Sequence, residues 1–327
     1  MKIRRNLVGI GVVLALALTA CGGSDSEDAS GDSRSITVYT CVNDTTIAPV
    51  VKTFEKDNPG TDVNLFRAPT GDLNARIAGD VRSGGLRADL IWACDPLTMQ
   101  DYVKQGLVGG WTPETPISSE YRTDDYVGVA LLYMVAVSGE GVPQPKSWSD
   151  LTGPAYKGGV AVPDPGVAAS ALGALGYFAN DPDYGTGFYS ALRKSGAEQV
   201  ATPDDVVTGV AEGTYDAGIT IANSAYAAKE NGSPIEVTWP EPGAVAIYGP
   251  VALAKDTENA DAAKSFISYV ASKRGQEQIG ESGSYPTLTG VASPTKPEGA
   301  PVVFPDWAEL SADKDALLAK YQKIFGG

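Results

Sequence analysis

The chain has 327 residues, of which 43% are hydrophobic, and its 40 acidic against 25 basic side chains give a formal net charge of −15. A balance this acidic argues against nucleic-acid binding and against insertion among anionic lipids, while the length suggests two domains, each able to bury a core. Histidine is absent, which excludes Ser-His-Asp triads, Cys-His nucleophiles and histidine-ligated metal sites.

The first twenty residues predict an export signal. Basic residues precede Leu7–Leu18, an apolar stretch that is too short to cross a bilayer but suits a secretory signal. Small residues then lead to Cys21, and this pattern resembles a bacterial lipobox, in which the cysteine is acylated and the chain is cut before it. We therefore expect a lipoprotein signal peptide over 1–20 and a lipid anchor at Cys21 on the extracytoplasmic face of the cell membrane. An ordinary signal peptide with a chance cysteine is the alternative.

The segment 21–35 is rich in Gly, Ser, Asp and Glu, which predicts a flexible tether. Ordered structure is predicted to begin with a β-branched strand, and three strands then alternate with three helices. The strands are predicted at 35–40, 61–66 and 88–93, and the helices at 45–58, 72–83 and 97–105. This alternation predicts a parallel sheet with right-handed crossovers.

The middle of the chain repeats this alternation. Strands are predicted at 158–162, 216–221 and 235–239, and helices at 165–179, 184–194, 203–212 and 224–230. Two extended apolar segments, 126–137 and 248–254, are flanked by Gly or Pro and lie where the chain would leave the first domain and return to it. The remaining helical segments are expected to pack on the first domain, and they are 259–272, 275–280 and 311–325.

These elements predict an α/β protein with two lobes and two hinge strands. The first lobe would comprise 36–130 and 250–327, and the second would comprise 138–245. A parallel sheet binds ligands beyond the carboxyl ends of its strands. Two such sheets facing each other across a hinge would therefore form a ligand cleft that closes.

Several stretches, taken in order, resemble a known family. They are 37–40 (TVYT), 70–77 (TGDLNARI), 88–92 (ADLIW), 232–243 (GSPIEVTWPEPG) and 259–276. The set is similar to the bacterial extracellular solute-binding proteins, in the branch that holds ferric-iron and 2-aminoethylphosphonate binders, and the similarity covers nearly all of 36–290. It implies a periplasmic-binding-protein-like fold and a monomer that captures a small solute for an ABC permease and ATPase complex. It also implies no cofactor and no enzymatic activity.

Loop positions and this resemblance together indicate the ligand-binding residues. The candidates in the first lobe are Asn43, Asp44, Thr70, Asp72 and Asp95, and those in the second lobe are Gly166, Ser170, Asn223 and Tyr226. Each follows a predicted strand or lies near the start of a predicted helix. A helix cap is the plainer interpretation of Asn43 and Asp72, and a simple helix start is the plainer interpretation of the turn at Gly166.

The class of solute depends on Tyr226. Ferric binders of that branch usually hold iron through two adjacent tyrosines, a carboxylate and often a histidine, whereas the matching stretch 222–226 has one tyrosine. Tyr226 and Asp72 form a poor ligand set for a hard trivalent ion, and Tyr226 is equally consistent with packing at the lobe edge. The helix start at 166–170 can instead hold a phosphate, phosphonate or carboxylate through backbone N–H groups. We therefore favour an organic anion such as a phosphonate or phosphate ester, with ferric iron as the alternative.

Two other classes of function stay open. A secreted carboxylate-dependent hydrolase would need two facing carboxylates, and the sequence pairs none convincingly and has no G-x-S-x-G motif. A sensory or adhesion protein with the same fold would need no different residues. The sequence alone therefore does not distinguish a sensory or adhesion protein from a transport protein.

Cys41 and Cys94 each lie one residue beyond a predicted strand. In the predicted topology these two strands are parallel neighbours, about 4.8 Å apart. A disulfide tolerates a Cα separation of roughly 4.4–6.8 Å, and an exported protein meets an oxidising environment. We therefore expect a Cys41–Cys94 disulfide that joins the two loops after these strands, with two buried thiols as the alternative.

Overall fold

The computed structural model describes residues 34–156, 159–294 and 296–326. The predicted signal peptide, the predicted lipid anchor at Cys21 and the tether up to residue 33 lie outside the described residues. None of the helices in the described part of the chain combines the length and the apolar character that spanning a bilayer requires.

The described strands form one curled, mixed sheet. They are β1 Arg34–Thr40, β2 Thr61–Arg67, β3 Leu90–Trp92, β4 Val127–Gly139, β5 Val160–Pro163, β6 Glu198–Val200, β7 Ala217–Ile221, β8 Ile235–Thr238, β9 Ala244–Leu253, β10 Tyr285–Pro286 and β11 Val302–Val303. The main path through the sheet is β2-β1-β3-β9-β4-β7-β5-β6. The short strands β6, β10 and β11 were not predicted, because two or three residues are too few for a periodic pattern.

The described α-helices cover both faces of this sheet. They are α1 Asp44–Asp57, α2 Thr70–Arg82, α3 Pro96–Lys104, α4 Ala169–Asn180, α5 Gly187–Lys194, α6 Pro203–Ala211, α7 Ala222–Glu230, α8 Ala260–Val270, α9 Lys273–Glu281 and α10 Trp307–Phe325. Short 3-10 turns occupy Ser119–Tyr121, Trp148–Thr152 and Pro154–Tyr156.

Helix α4 begins later than the sequence predicts. The residues before it form a turn around Asp164, whose carboxylate accepts a hydrogen bond from the Gly166 N–H at 2.7 Å. The Asp164 carbonyl accepts from the N–H groups of Val167 and Ala168 at 3.1 and 2.9 Å. The helix itself starts at Ala169 instead of directly after Pro165.

We call β1–β3 with α1–α3, α8 and α9 the first lobe. Its strands β2, β1 and β3 are parallel neighbours in that order, and the parallel pairing of β1 with β3 is as predicted. Helix α1 buries the predicted apolar side chains Ile47, Val50, Val51 and Phe54. The ring of Phe54 meets that of Phe266 of α8 edge to face, with centroids 5.0 Å apart, so α1 and α8 close one core.

We call β5–β8 with α4–α7 the second lobe. Its core is centred on Phe178 of α4, which is fully buried. The Phe178 ring lies 5.3 Å from the Trp148 ring and 4.5 Å from the Phe188 ring of α5. On the other face of the sheet, α6 buries Val206, Val207 and Val210.

Strands β4 and β9 are long antiparallel partners that belong to both lobes. Their register runs from Val127 opposite Val251 to Met134 opposite Val245. The end of β9 pairs with β3 of the first lobe, and the end of β4 pairs with β7 of the second. The two predicted hinge strands are therefore present, but the expectation of two separate sheets is wrong. The hydrogen-bonded ladder continues through the hinge because each hinge strand reaches into both lobes.

The chain crosses between the lobes a third time after β10. Pro286 of β10 pairs with Ala130 at the first-lobe end of β4, whereas Val302 of β11 pairs with Ala244 at the second-lobe end of β9. The helix that follows, α10, shares a core with α4 and α5 through Leu310, Leu317, Tyr321 and Phe325. The expectation that this helix packs on the first lobe is therefore wrong. An apolar stripe shows that a helix is buried but not which core it joins.

Candidate functional site

The predicted disulfide is present and marks one edge of the site. Strands β1 and β3 pair with Thr40 opposite Trp92, so the next residues emerge side by side at the carboxyl edge of the sheet. Cys41 and Cys94 are bonded, with their Cα atoms 5.9 Å apart. The bond connects the loops that lead from β1 to α1 and from β3 to α3, and both cysteines lie in the wall of a cavity.

This cavity, of about 160 Å³, lies between the two lobes and the hinge. The first lobe contributes the carboxyl ends of β1–β3 and the starts of α1 and α2, and the second lobe contributes the starts of α4, α6 and α7. The polar side chains in the wall are those of Asn43, Thr46, Arg67, Thr70, Ser170, Thr202, Asp204, Asn223 and Ser284. Ala130 and Leu132 of β4 and Gly249 of β9 close the hinge end.

Arg67 is the one cationic side chain in the wall formed by the described residues. It ends β2 and is half-buried. Its Nη2 donates to Asn43 Oδ1 at 2.9 Å, and its Nε donates to the Val42 carbonyl at 3.3 Å. The loop after β1 thus orients the guanidinium, which has five N–H donors in a planar fork suited to carboxylates and phosphates.

The start of α4 faces the cavity from the second lobe, where Val167 and Ala168 of the preceding turn and Ala169 and Ser170 of the helix line it. The first N–H groups of a helix have no partner within the helix and carry a partial positive charge, which favours an anion. Arg67 and the start of α4 therefore present hydrogen-bond donors to the cavity from opposite lobes.

Direct contacts hold the lobes together around the cavity. The Gly71 N–H of α2 donates to the Val167 carbonyl at 3.2 Å, and Asn43 Nδ2 donates to Ser224 Oγ at 3.4 Å. A Cβ atom at Gly71 would lie 3.3 Å from the Gly166 carbonyl oxygen. The close approach of α2 to the turn before α4 therefore depends on glycine at this position.

The structure brings some of the predicted site residues together and separates others. Four of them line the cavity, namely Asn43, Thr70, Ser170 and Asn223. Gly166 lies in the exposed turn next to it. Asp44 lies in a second, outer space of about 370 Å³, which Asn43, Arg67 and Asp204 also border. Asp72, Asp95 and Tyr226 are not in the cavity wall.

Each of these three residues has another place in the structure. Asp72 is exposed in the first turn of α2. The Tyr226 hydroxyl accepts a hydrogen bond from Trp239 Nε1 at 3.0 Å. Asp95 is fully buried and caps α3, where its Oδ1 accepts from the Thr98 N–H at 2.8 Å. Burial raises the pKa of the Asp95 carboxyl, although the hydrogen bond from Thr98 and the positive charge of Lys314 act in the opposite direction.

The described residues contain no group of three or more His, Cys, Asp or Glu side chains that could hold a metal ion. Sequence reasoning missed Arg67, Thr46, Thr202 and Asp204. Arg67 directly follows the predicted strand 61–66, so the rule that ligands lie beyond the carboxyl ends of parallel strands points to it. Asp204 lies in the first turn of the predicted helix 203–212, but the sequence does not show that this turn faces the cleft.

A family model described as "Bacterial extracellular solute-binding protein" matches residues 36–284. The chain belongs to this family. The resemblance found in the sequence is thereby confirmed, and the two-lobed fold is confirmed by solved structures. One is AfuA from Actinobacillus pleuropneumoniae with exogenous fructose-6-phosphate bound, at a TM-score of 0.79 and 20% identity over 90% of this chain and 99% of that chain. Another is iron-bound HitA from Pseudomonas aeruginosa, at a TM-score of 0.77 and 18% identity over 89% and 99%.

Among curated relatives, the spermidine/putrescine-binding periplasmic protein of Escherichia coli (strain K12) is 31% identical over 161 residues. The matched segment is 47% of this solute-binding chain and 46% of that protein, so the chain spans about half the length of the first curated relatives that it matches. These similar proteins are solute-binding proteins rather than enzymes, and the solutes named for them are a sugar phosphate, iron and polyamines.

Proposed function

We propose that this chain is a solute-binding lipoprotein that closes over a small organic anion and delivers it to an ABC permease. The observation that carries the proposal is the cavity between the lobes, in which the Arg67 guanidinium and the first turn of α4 converge from opposite sides. An anion in this position would bind donors of both lobes at once. Binding would therefore stabilise the closed arrangement, which is the form that a permease can distinguish from the empty one.

The charge of the wall favours an anion over a polyamine. A polyamine needs several carboxylates, and among the described residues of the cavity wall Asp204 is the one carboxylate. Asp204 is exposed at the mouth, near Asp44 in the outer space. An anion that also carries an amine would place its amine there.

The apolar part of the wall favours an organic anion over a bare ion. Much of the cavity surface is aliphatic or aromatic, from Val42, Pro69, Trp92, Ala93, Leu132 and Ile221. These apolar groups cannot replace the hydrogen bonds of a hydrated small ion, but they would pack against a carbon skeleton. Ferric iron stays the alternative, with Tyr226 and Asp72 as its ligands, although neither residue lines the cavity.

The deciding experiment is mass spectrometry of the solute that denaturation releases from the purified protein, with metal analysis of the same sample. We expect an organic anion in near-equimolar amount, recovered chemically unchanged. Equimolar iron, with a tyrosinate-to-iron absorption band that Tyr226→Phe abolishes, would contradict the proposal. Conversion of the added solute into a product would instead support a hydrolase.

The lipid anchor is tested separately. We expect the full-length chain to sediment with membranes and Cys21→Ser to appear in the soluble extracytoplasmic fraction. Sedimentation of both forms would contradict an anchor at Cys21.

A further inference from the structure

Trp92 has a buried hydrogen-bond donor for which the described residues provide no acceptor. It is the last residue of β3, its side chain is fully buried, and it lies in the cavity wall. Its Nε1 has no hydrogen-bond partner among the described residues. By contrast, Trp148 Nε1 donates to the Gly243 carbonyl at 2.9 Å, and Trp239 Nε1 donates to the Tyr226 hydroxyl at 3.0 Å.

An unpaired indole N–H is unusual in a protein interior, because a buried donor without an acceptor loses the hydrogen bond that it made with water. Trp92 lines the cavity together with Ala130 and Gly249, the residues with small or no side chains at its hinge end. A Cβ atom at Gly249 would lie 3.5 Å from Trp92 Nε1. The donor therefore lies beside a position where the chain carries no side chain.

The position of Trp92 relative to Arg67 follows from the sheet register. Both residues lie opposite Thr40, Arg67 on β2 and Trp92 on β3. They are therefore two strand spacings apart, about 10 Å between backbones, and their side chains leave the same face of the sheet. Because a tetrahedral oxyanion is only a few ångströms across, an organic anion several bonds long spans this separation better than a bare oxyanion bound at Arg67.

A second unpaired atom lies on the opposite wall. Asn223 belongs to the first turn of α7, lines the cavity, and its buried Oδ1 has no partner among the described residues. An amide oxygen accepts and an indole N–H donates. A complementary solute would therefore have a hydrogen-bond acceptor near Trp92 and a hydroxyl or amine donor near Asn223.

We infer that Trp92 Nε1 binds the solute directly, and that the solute is an elongated organic anion with an acceptor oxygen at the end remote from its charged group. This inference rests on the proposed function and narrows it. Trp92 Nε1 donates a hydrogen bond to the inner end of the solute, and Arg67 and the start of α4 bind its anionic end. Asn223 Oδ1 accepts a hydrogen bond from a hydroxyl or amine between these two ends. An inorganic oxyanion would leave Trp92 Nε1 unpaired and would bind more weakly.

The test follows the indole N–H signals of ¹⁵N-tryptophan-labelled protein during titration with inorganic phosphate, 2-aminoethylphosphonate and fructose 6-phosphate. The chain has five tryptophans, and Trp92→Phe assigns the Trp92 signal. If that variant does not fold, single Phe variants of the other four assign it by elimination. We expect an organic anion that binds to shift the Trp92 signal downfield while the Trp148 signal stays in place, and inorganic phosphate to leave both unchanged.

The matched control variant is Trp148→Phe, because Trp148 is equally buried but lies outside the cavity and has an acceptor in the protein. We expect Trp92→Phe to weaken binding of the organic anion about tenfold and Trp148→Phe to change it less than twofold. Binding of an organic anion with no shift of the Trp92 signal would overturn the inference and leave the proposed function intact. Failure of every probe to bind would count against the proposed function, and the inference would fall with it.

Discussion

The position of Arg67 follows from the chain topology, whereas its orientation depends on neighbours that come together only in the folded chain. It stands at the carboxyl end of β2, where a parallel sheet presents side chains to a ligand. Its orientation depends on Asn43 and Val42, which accept its hydrogen bonds from the loop after β1. The guanidinium is thus fixed before a solute arrives, which lowers the entropy lost on binding.

Replacement of Arg67 by alanine should weaken binding of the solute recovered from the protein by about 10- to 100-fold, since a hydrogen bond to a charged group contributes about 1.5–3 kcal/mol. Arg82→Ala is the matched control, because Arg82 is exposed at the end of α2 and away from the cavity. Calorimetry on both variants measures the difference. Equal affinities for the two variants would show that the anionic group lies elsewhere.

Asp95 should make the stability of the protein depend on pH. Burial raises the pKa of its carboxyl above the ordinary value for an aspartate. A raised folded-state pKa means that the folded chain binds the proton more tightly than the unfolded chain does, so the contribution of Asp95 is favourable at low pH and is lost as pH rises through the folded pKa. Asp95→Asn removes this titration and keeps an N-cap side chain.

The wild type should lose free energy of unfolding through Asp95 as pH rises from 4 to 8, whereas Asp95→Asn should not. We therefore expect the stability of Asp95→Asn relative to the wild type to be higher at pH 8 than at pH 4. Denaturant unfolding at the two pH values measures this change. Asp306→Asn is the control, because Asp306 also caps a helix, α10, but is exposed. If the two variants showed the same pH dependence, the burial of Asp95 would have no energetic consequence.

At the scale of elements, α2 and the turn before α4 form the contact that closes the cleft. The contact is made of backbone groups, Gly71 N–H and the Val167 carbonyl, so it depends on how closely the two segments approach. Gly79 lies in the same helix, and a Cβ there would meet only the end of the Arg82 side chain, at 4.0 Å. Close contact therefore disfavours a side chain at Gly71 but not at Gly79.

Gly71→Val should hold the lobes apart and weaken solute binding roughly tenfold, because overfilling a tight contact costs about 1–3 kcal/mol. Gly79→Val should leave affinity unchanged. Small-angle scattering with and without solute measures closure, and calorimetry measures affinity. Normal closure of Gly71→Val would mean that the turn at Gly166 moves aside at little cost.

At the scale of the whole molecule, the described part of the chain connects the two lobes through β4, β9 and the segment between β10 and β11, and α10 adds a further contact. Lys314 of α10, whose core lies in the second lobe, forms an ion pair with Asp101 of α3 at 2.6 Å. The disulfide reinforces the first lobe where it faces this cleft, by closing a loop between residues separated by 53 positions. The disulfide thus braces the wall of the cavity, and the ion pair connects α10 to the first lobe.

Loss of the disulfide in the Cys41→Ser, Cys94→Ser double variant should lower the free energy of unfolding by about 4 kcal/mol in the loop-entropy model. It should also weaken solute binding, because both cysteines line the cavity. Denaturant unfolding and calorimetry measure the two effects, and thiol counting on the unreduced wild type provides the control. Two free thiols in the wild type would contradict the pairing.

Much of the architecture could be predicted from the sequence, since it depends on local periodicity and on rules of chain topology. The apolar positions of α1, the parallel pairing of β1 with β3, and the Cys41–Cys94 bond all follow from patterns within the first hundred residues. Right-handed crossovers leave few alternatives for such a segment. The family resemblance is equally a property of the sequence.

Only the tertiary structure decided the third crossing, the partner of α10 and the true wall of the cavity. An apolar stripe on α10 suits either core, so the sequence cannot choose between them. Asp72 and Asp95 both lie near helix starts, as Asn43 does, but the rotation of each helix turns only Asn43 toward the cleft. Which side chains contact a solute depends on how segments of the two lobes, which are far apart in sequence, approach each other in space. Local sequence patterns carry no information on this spatial arrangement.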